Sequence, residues 1–350
     1  MRQALAALFV AALGFQAVAC SAPVEAEVAD DELVKSVTRI KGTEADPDFL
    51  SAYGDSVYFA TNYGYADQYG SDFHHDIWVK PAKGAAKILY KNLQNHSFAQ
   101  VVTPLGIYEI NQGYGGIYRY PLDGKGKETL IFDGRDDTED GFDNGLAGLD
   151  ADATGLVAVL HYPSLDDNEE TPPSKVFALS PDGKKQVTLG SVVGFTALRI
   201  AGNRVYVGTV NGQVYAGLRS GSGSLKQIGW AEGAVNDILV DGDDVFFAAK
   251  GIYQANIKGG QTTQLLTDKH VSSLARVREE IVFGAFDEGV FTLNLKTLKT
   301  KPLYTKAKTP FDIIFANDQV IFADQSRGKP QYLDDGVLYP FDGGVYTFNY

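Results

Sequence analysis

The chain has 350 residues, of which 44 % are apolar, with 38 Gly and 13 Pro, so it is long enough to bury a sizeable core in one large unit. A formal net charge of −13 argues against nucleic acid as a partner, which wants clustered Lys and Arg, and against docking on a polybasic membrane surface. An acidic protein is directed instead toward cationic partners, metal ions or neutral ligands.

Residues 1–19 read as an export signal: Arg2 supplies the positive start and residues 4–18 form an apolar run too short to span a membrane. The run ends in Ala17-Val18-Ala19-Cys20, and two readings follow. Ala-Val-Ala suits ordinary signal peptidase. The same four residues resemble a bacterial lipobox, which implies that Cys20 becomes the acylated first residue, although Ala17 stands where lipoboxes usually carry Leu. Cys20 is the single cysteine, so it has no partner within the chain, and an exposed thiol is a liability in an oxidising compartment. With Ser21 next, the lipobox reading implies an outer-membrane anchor; the alternative is a periplasmic or secreted soluble protein. Residues 20–33 read as a tether, because Glu25, Glu27, Asp30, Asp31 and Glu32 face no basic residue and Pro23 discourages a helix.

From residue 34 to 350 one phrase recurs. Gly212-Gln213-Val214-Tyr215, Gly251-Ile252-Tyr253 and Gly289-Val290-Phe291 place Val214, Ile252 and Val290 at a constant interval of 38 residues. Looser copies stand at Ile77-Trp78, Ile117-Tyr118, Val176-Phe177 and Val345-Tyr346. Such a period means stacked four-stranded units, typically of about 40–45 residues each. β-branched and aromatic runs begin near Val57, Ile107, Val157, Val205, Val245, Ile281 and Val320, and Asp241-Gly242 and Gly259-Gly260 suit tight hairpins between them. The expectation is an all-β, seven-bladed β-propeller. Its last unit ends one strand short, because Gly344-Val345-Tyr346-Thr347-Phe348-Asn349 matches the third-strand phrase Gly289-Val290-Phe291-Thr292-Leu293-Asn294. The alternating stretch 34–41 is expected to supply the missing outer strand and close the ring. A competing register makes 337–340 the third strand and 345–350 the fourth.

Asp241-Gly242-Asp243-Asp244-Val245-Phe246-Phe247, Gly116-Ile117-Tyr118-Arg119-Tyr120-Pro121-Leu122-Asp123-Gly124 and Leu179-Ser180-Pro181-Asp182-Gly183-Lys184 resemble the blades of bacterial envelope propellers of the TolB-like and YWTD-like kind. Asp150-Ala151-Asp152-Ala153-Thr154-Gly155 is similar to the first hairpin of NHL-type blades. The resemblance implies a fold and a habit of binding proteins or small ligands, and carries over no catalytic residue.

Long connections are expected at 61–75, 133–147, 161–174 and 324–343, all on one face of the disc and all from consecutive blades. Ordered loops on a rigid scaffold are where function concentrates. Tyr63, Tyr65, Tyr69, Asp72, His74 and His75 in the first, His161 at the mouth of the third, and Arg327 and Tyr332 in the last are the candidate partner- or ligand-binding residues, since aromatic rings with polar tips suit recognition surfaces and sugars. His74 and His75, flanked by Asp72 and Asp76, could ligate one ion only if the segment is loop, because adjacent strand residues point to opposite faces. Asp136-x-Thr138-x-Asp140-Gly141, with Asp143, resembles the start of an EF-hand loop, making Asp136, Thr138, Asp140 and Asp143 candidate Ca²⁺ ligands; the bidentate Glu of that family would fall on Ala147. No Gly-x-Ser-x-Gly elbow and no phosphate loop occurs in the sequence. The expectation is a membrane-anchored, non-catalytic binding or scaffold protein of the cell envelope that needs no cofactor and recognises a protein or glycan. The alternative is a Ca²⁺- or metal-assisted hydrolase or lactonase with its ion in the propeller channel.

Overall fold

The computed structural model describes residues 36–41, 43, 46–67, 70–94, 97–111, 115–134, 145–161, 172–325, 331–333, 336–338 and 343–350. They form an all-β chain in a β-propeller arrangement. No described helix is long and apolar enough to cross a membrane.

The first sheet holds β2 (Asp46–Tyr53), β3 (Ser56–Asp67), β4 (Gly70–Pro81) and β5 (Lys87–Gln94), following β1 (Thr38–Arg39). The second holds β6 (Ser97–Thr103), β7 (Gly106–Asn111), β8 (Gly116–Tyr120) and β9 (Thr129–Asp133). The third holds β10 (Gly145–Asp152), β11 (Gly155–His161), β12 (Ser174–Leu179) and β13 (Gln186–Val192). The fourth holds β14 (Phe195–Ala201), β15 (Arg204–Thr209), β16 (Gln213–Leu218) and β17 (Lys226–Trp230). A six-stranded sheet follows, of β18 (Asp237–Asp241), β19 (Asp244–Asn256), β20 (Thr263–Val277), β21 (Glu280–Ala285), β22 (Gly289–Asn294) and β23 (Thr300–Tyr304). The last four-stranded sheet runs β24 (Pro310–Ala316), β25 (Gln319–Asp324), β28 (Gly344–Asn349), β1, and β26 (Gln331–Leu333) pairs with β27 (Gly336–Leu338) as a separate ribbon.

The expected seven separate four-stranded sheets are therefore not what the ladders draw: five sheets have four strands and one has six. The cause lies in β19 and β20. β19 pairs with β18 through Asp244–Ala248 and with β20 through residues 250–254, passing Gly251 without leaving the strand. β20 pairs with β19 up to His270 and with β21 from Val271 onward. Each strand takes two places, and the two ladders fuse.

The N-terminal strand closes the last sheet. Thr38 pairs with Thr347 and Arg39 with Tyr346, and Ile40 N–H donates to Val345 O at 2.7 Å. β28 pairs directly with β25, which makes residues 344–349 a third strand and excludes the register based on 337–340.

The recurring phrase has a steric reason. Gly212, Gly251 and Gly289 have φ of +81°, +127° and +115°, and a Cβ on each would lie 1.9–2.2 Å from Ala231 O, Leu266 O and Tyr304 O respectively. Only glycine lets the third strand start so close to the end of the fourth. The residues that follow it are apolar because the sheets stack face to face: Val214, Ile252 and Val290 are fully buried, as are Phe59, Val157, Val205, Phe247, Phe283 and Phe322 on the second strands. Each such side chain contributes roughly 1.5–3 kcal/mol on burial. Apolar clusters bridge successive sheets, from Tyr58, Ile77 and Ile107 between the first and second to Leu50, Phe59, Ile321 and Val345 between the last and first.

Candidate functional site

Residues 61–75, expected as a loop, are mostly strand. The β3–β4 ladder runs unbroken from Ser56↔Pro81 to Asp67↔Gly70. Corresponding hairpins turn at once elsewhere, between Thr209 and Gln213 and between Ala285 and Gly289. The six pairs from Asn62↔His75 to Asp67↔Gly70 thus form a two-stranded projection about 20 Å long at a rise of about 3.4 Å per residue. Gly64, Asp67 and Gly70 read as loop, while the pairing partner is what makes them strand.

Strand alternation separates the two histidines. His75 is fully buried and its Nε2 lies 2.8 Å from Glu109 Oε1 on β7, also fully buried. His74 stacks on Tyr63 with ring centroids 6.0 Å apart and an interplanar angle of 26°. The Tyr63 hydroxyl donates to Asp76 Oδ1 at 3.0 Å, and the same oxygen accepts Asn92 N–H at 2.7 Å. Desolvation, with the bond to the Asp76 carboxylate, pushes the Tyr63 phenol up to about 12. Asn62 donates to Asp48 Oδ2 at 2.6 Å and accepts Ser97 N–H at 3.1 Å, and Trp78 Nε1–H donates to Thr61 Oγ1 at 2.9 Å. The projection therefore rises from a polar-clamped base, as a rigid feature should.

Of the sequence-derived candidates, Tyr63 and His74 are brought together and His75 is turned into the seam with the second sheet. His161 ends β11 in the third sheet, with Nδ1 3.0 Å from Ser174 Oγ. Tyr65 and Asp72 are backbone partners in the projection, and Tyr332 pairs with Val337 in the β26–β27 ribbon; their side chains lie outside the described residues. Tyr69, Arg327, Cys20 and the Ca²⁺ candidates Asp136, Thr138, Asp140 and Asp143 lie outside the described residues altogether. Among the described residues no three His, Cys, Asp or Glu side chains gather as a metal site.

Two features escaped the sequence reading. One is apolar: Val193, Val210 and Trp230 are 50 %, 50 % and 53 % exposed. Val210 N–H donates to Gly194 O at 2.7 Å and Trp230 Nε1–H to Asn211 O at 3.2 Å, so they form one patch. They stand at a second-to-third-strand turn and at the links between sheets, which puts them on the same face as the β3–β4 projection.

The other is the central channel. Segments of β2, β6, β10, β14, β18, β20 and β24 enclose a cavity of about 440 Å³. Side chains tie these inner strands in sequence. Ser51 Oγ accepts Val102 N–H at 3.1 Å, Asp150 Oδ2 accepts Ile200 N–H at 2.6 Å, and Arg199 Nε–H donates to Ile238 O at 3.0 Å. Asp237 Oδ2 then accepts Leu274 N–H at 2.9 Å, Ser273 Oγ accepts Ile313 N–H at 2.8 Å, and Asp312 Oδ2 accepts Leu50 N–H at 2.7 Å. Between β6 and β10 the register position opposite Tyr108 is Val101, which has no side-chain acceptor to offer. Arg199 also holds Asp237 at 2.9 Å. Burial and the Asp237 charge push the Asp312 carboxyl up to about 6 against the pull of Arg199, and burial raises Asp150 as well. Burial disfavours the Arg199 cation, but Asp237, Asp150 and Asp312 together hold its proton more firmly than usual. A faint signal existed: Asp48, Asp237 and Asp312 all stand opposite an alanine, at Ala60, Ala248 and Ala323.

No protein-family profile and no curated protein matches the sequence. Solved structures do match in shape. A chain of the mitotic checkpoint complex aligns with 98 % of this protein and 100 % of its own length, at 12 % identity and a TM-score of 0.61. Acylaminoacyl peptidase of Pyrococcus horikoshii aligns with 88 % of this protein at 10 % identity and a TM-score of 0.58, and this protein spans about half, 52 %, of that chain. The computationally designed Ika8 protein aligns over 89 % of this protein and 98 % of itself, at 15 % identity and a TM-score of 0.55. At such identities the likeness shows the β-propeller fold alone.

Proposed function

We propose that this chain is a non-catalytic binding propeller of a bacterial cell envelope, with seven blades, an acylated Cys20 at the outer membrane and residues 20–33 as tether. It recognises a protein or glycan partner through the face that bears the β3–β4 projection. The projection carries this reading: six strand pairs extend past the level at which the hairpins of β15–β16 and β21–β22 turn back. A long, polar-clamped hairpin on a rigid disc is suited to recognition. The Val193, Val210 and Trp230 patch on the same face supports it, since exposed aromatic and aliphatic groups anchor interfaces. Seven blades are supported by the seven inner-strand segments around one channel, with the six-stranded sheet counted as two blades joined through β19 and β20.

The test replaces residues 64–73 by a Gly-Asn turn, which leaves Asn62, Tyr63, His74 and His75 of the base in place, and captures partners from solubilised membranes. Loss of partners with an unchanged melt is expected; retained partners would place the binding face elsewhere. Cys20→Ser is expected to move the protein from the membrane to the soluble fraction. A melt unchanged by EDTA is expected, and a large drop would favour the metal-assisted hydrolase.

A further inference from the structure

We infer that the pocket at the foot of the β3–β4 projection receives an arginine side chain of a protein partner. The inference rests on the reading of this face as a protein-binding surface, and names the group that the surface takes.

The pocket, of about 200 Å³, lies in the seam between the first two sheets. Asn92, Leu93 and Gln94 of β5 line one side; Asn111 of β7, Tyr118 and Tyr120 of β8, and Glu128 just before β9 line the other. Gln94 ends β5 at a link between sheets and Asn111 ends β7 at a second-to-third-strand turn, so this end of the pocket lies at the face that bears the projection. The base of the projection is its direct neighbour. Leu93 pairs with His75 and Gln94 with His74, and the Asn92 side-chain oxygen lies 3.3 Å from the Tyr63 hydroxyl. Asn111 Nδ2–H donates to Gln94 O at 2.9 Å and ties the two walls. Pockets for drug-sized ligands run to about 300–1,000 Å³, so this smaller one suits a single long side chain.

Two observations point to a ligand, and to a positive one. Tyr120 lines the pocket and is 3 % exposed, yet its hydroxyl makes no hydrogen bond among the described residues and is not sealed off as the polar atoms of Glu109 and Gln100 are. A phenol buried along its ring and open at its tip is ready to bond an incoming group. The second observation is charge. The lining holds one carboxylate, the exposed Glu128, and no Lys or Arg. Behind it the fully buried Glu109 stands in register opposite Tyr118, with neither carboxylate oxygen hydrogen-bonded among the described residues; its ion-pair neighbour His75 is equally buried. Burial first, and then the charges of Glu109 and Glu128, push the Tyr120 phenol up, and burial with Asp123 and Glu128 does the same to Tyr90, whose ring lies 5.1 Å away.

An arginine answers this set better than a lysine or a neutral sugar. Its planar guanidinium keeps its charge, carries five donors and stacks on aromatic faces, whereas an ammonium is a compact, strongly hydrated point charge. The Glu128 carboxylate and the Tyr120 oxygen are acceptors, Tyr118 and Tyr120 supply rings, and Leu93 suits the methylene stem. A neutral sugar gains nothing from the excess of acid, and a low-dielectric cleft lined by one sign of charge strengthens the pull on a cation.

Saturation-transfer NMR on the full chain, with the peptide amide Gly-Arg-Gly as probe at low ionic strength, tests this. Saturable binding is expected, and neither the neutral isostere Gly-citrulline-Gly nor maltose is expected to bind. Glu128→Gln, at an exposed position, is expected to weaken binding about fivefold, and Tyr120→Phe, which removes only the hydroxyl, about threefold or more. Asp182→Asn, an exposed acid on a hairpin of the third sheet, is expected to bind as wild type. The replacement of residues 64–73 leaves every lining residue in place and is expected to bind the peptide as wild type, so the peptide reports on the pocket while partner capture reports on the projection. Absent peptide binding, equal binding of the citrulline peptide, maltose binding in its place, equal loss in Asp182→Asn, or wild-type binding in both Glu128→Gln and Tyr120→Phe would each overturn the inference, even where partner capture upholds the binding face.

Discussion

The Asp312 carboxylate on β24 accepts the Leu50 N–H of β2 at 2.7 Å, so the last inner strand is tied to the first across 262 residues of sequence. Its carboxyl titrates at about 6 in the folded protein, raised from 3.8 chiefly by burial and then by Asp237. The folded state therefore binds this proton more tightly than the unfolded state. The stability tied to protonation is fully present at low pH and is lost as pH rises from about 4 to about 6. Relative to Asp312→Asn, the wild type is expected to be more stable at about pH 4.5 than at about pH 7.5, by up to about 2 kcal/mol. Urea denaturation of both proteins at the two pH values measures this; a difference that does not change with pH would contradict it.

This bond also shows why part of the molecule was legible and part was not. The third strands announce themselves, because Gly212, Gly251 and Gly289 meet the same steric demand and the demand fixes their spacing. Closure by residues 38–39 followed from that repeat, since Gly344 to Asn349 copies the third strand and leaves an edge unpaired. The inner strands carry no such demand. Ser51, Asp150, Arg199, Asp237, Ser273 and Asp312 do the same work with different chemistry and from shifted registers, so no motif marks them. The fusion of β19 and β20 was hidden for a related reason: Gly251 looks like a turn, yet its φ of +127° is accommodated within a continuous strand.

Closure of the ring rests on one hydroxyl as well as on the β1 ladder. Thr43 is fully buried; its Oγ1 donates to Ile40 O at 2.7 Å and accepts Val345 N–H at 3.0 Å. Thr43→Val keeps the shape and removes both bonds, and is expected to cost about 1–2 kcal/mol. Deletion of residues 34–42 is expected to cost more, since it also exposes the edge of β28. A deletion protein that melts with the full chain would show that β1 does not close the ring.

The glycine of the recurring phrase separates steric demand from backbone freedom. In Gly289→Ala the new Cβ would lie 2.2 Å from Tyr304 O at a φ of +115°. The expected loss is about 2 kcal/mol or more, because the carbonyl belongs to β23 and cannot rotate away. In Gly242→Ala the backbone is also left-handed, with φ +62°, but nothing lies within 4 Å of the new methyl. That change is expected to cost about 1 kcal/mol. Equal losses in the two variants would mean that close approach to the fourth strand is not what the phrase encodes.

The His75–Glu109 pair makes a sharper prediction about the seam beneath the projection. Both side chains are fully buried, with Nε2 and Oε1 2.8 Å apart. A buried ionic pair gives little net stability, but removing one partner strands the other. Glu109→Leu and His75→Leu are therefore each expected to destabilise by about 3–5 kcal/mol, whereas the two together are expected to recover most of that loss. Tyr58, Ile77, Val102 and Ile107 already make this seam apolar, so two leucines extend an existing core. Chemical denaturation of the two single variants and the double variant gives the coupling directly. Additive losses would show that the imidazole and the carboxylate act separately, and that some other contact holds the first two sheets together.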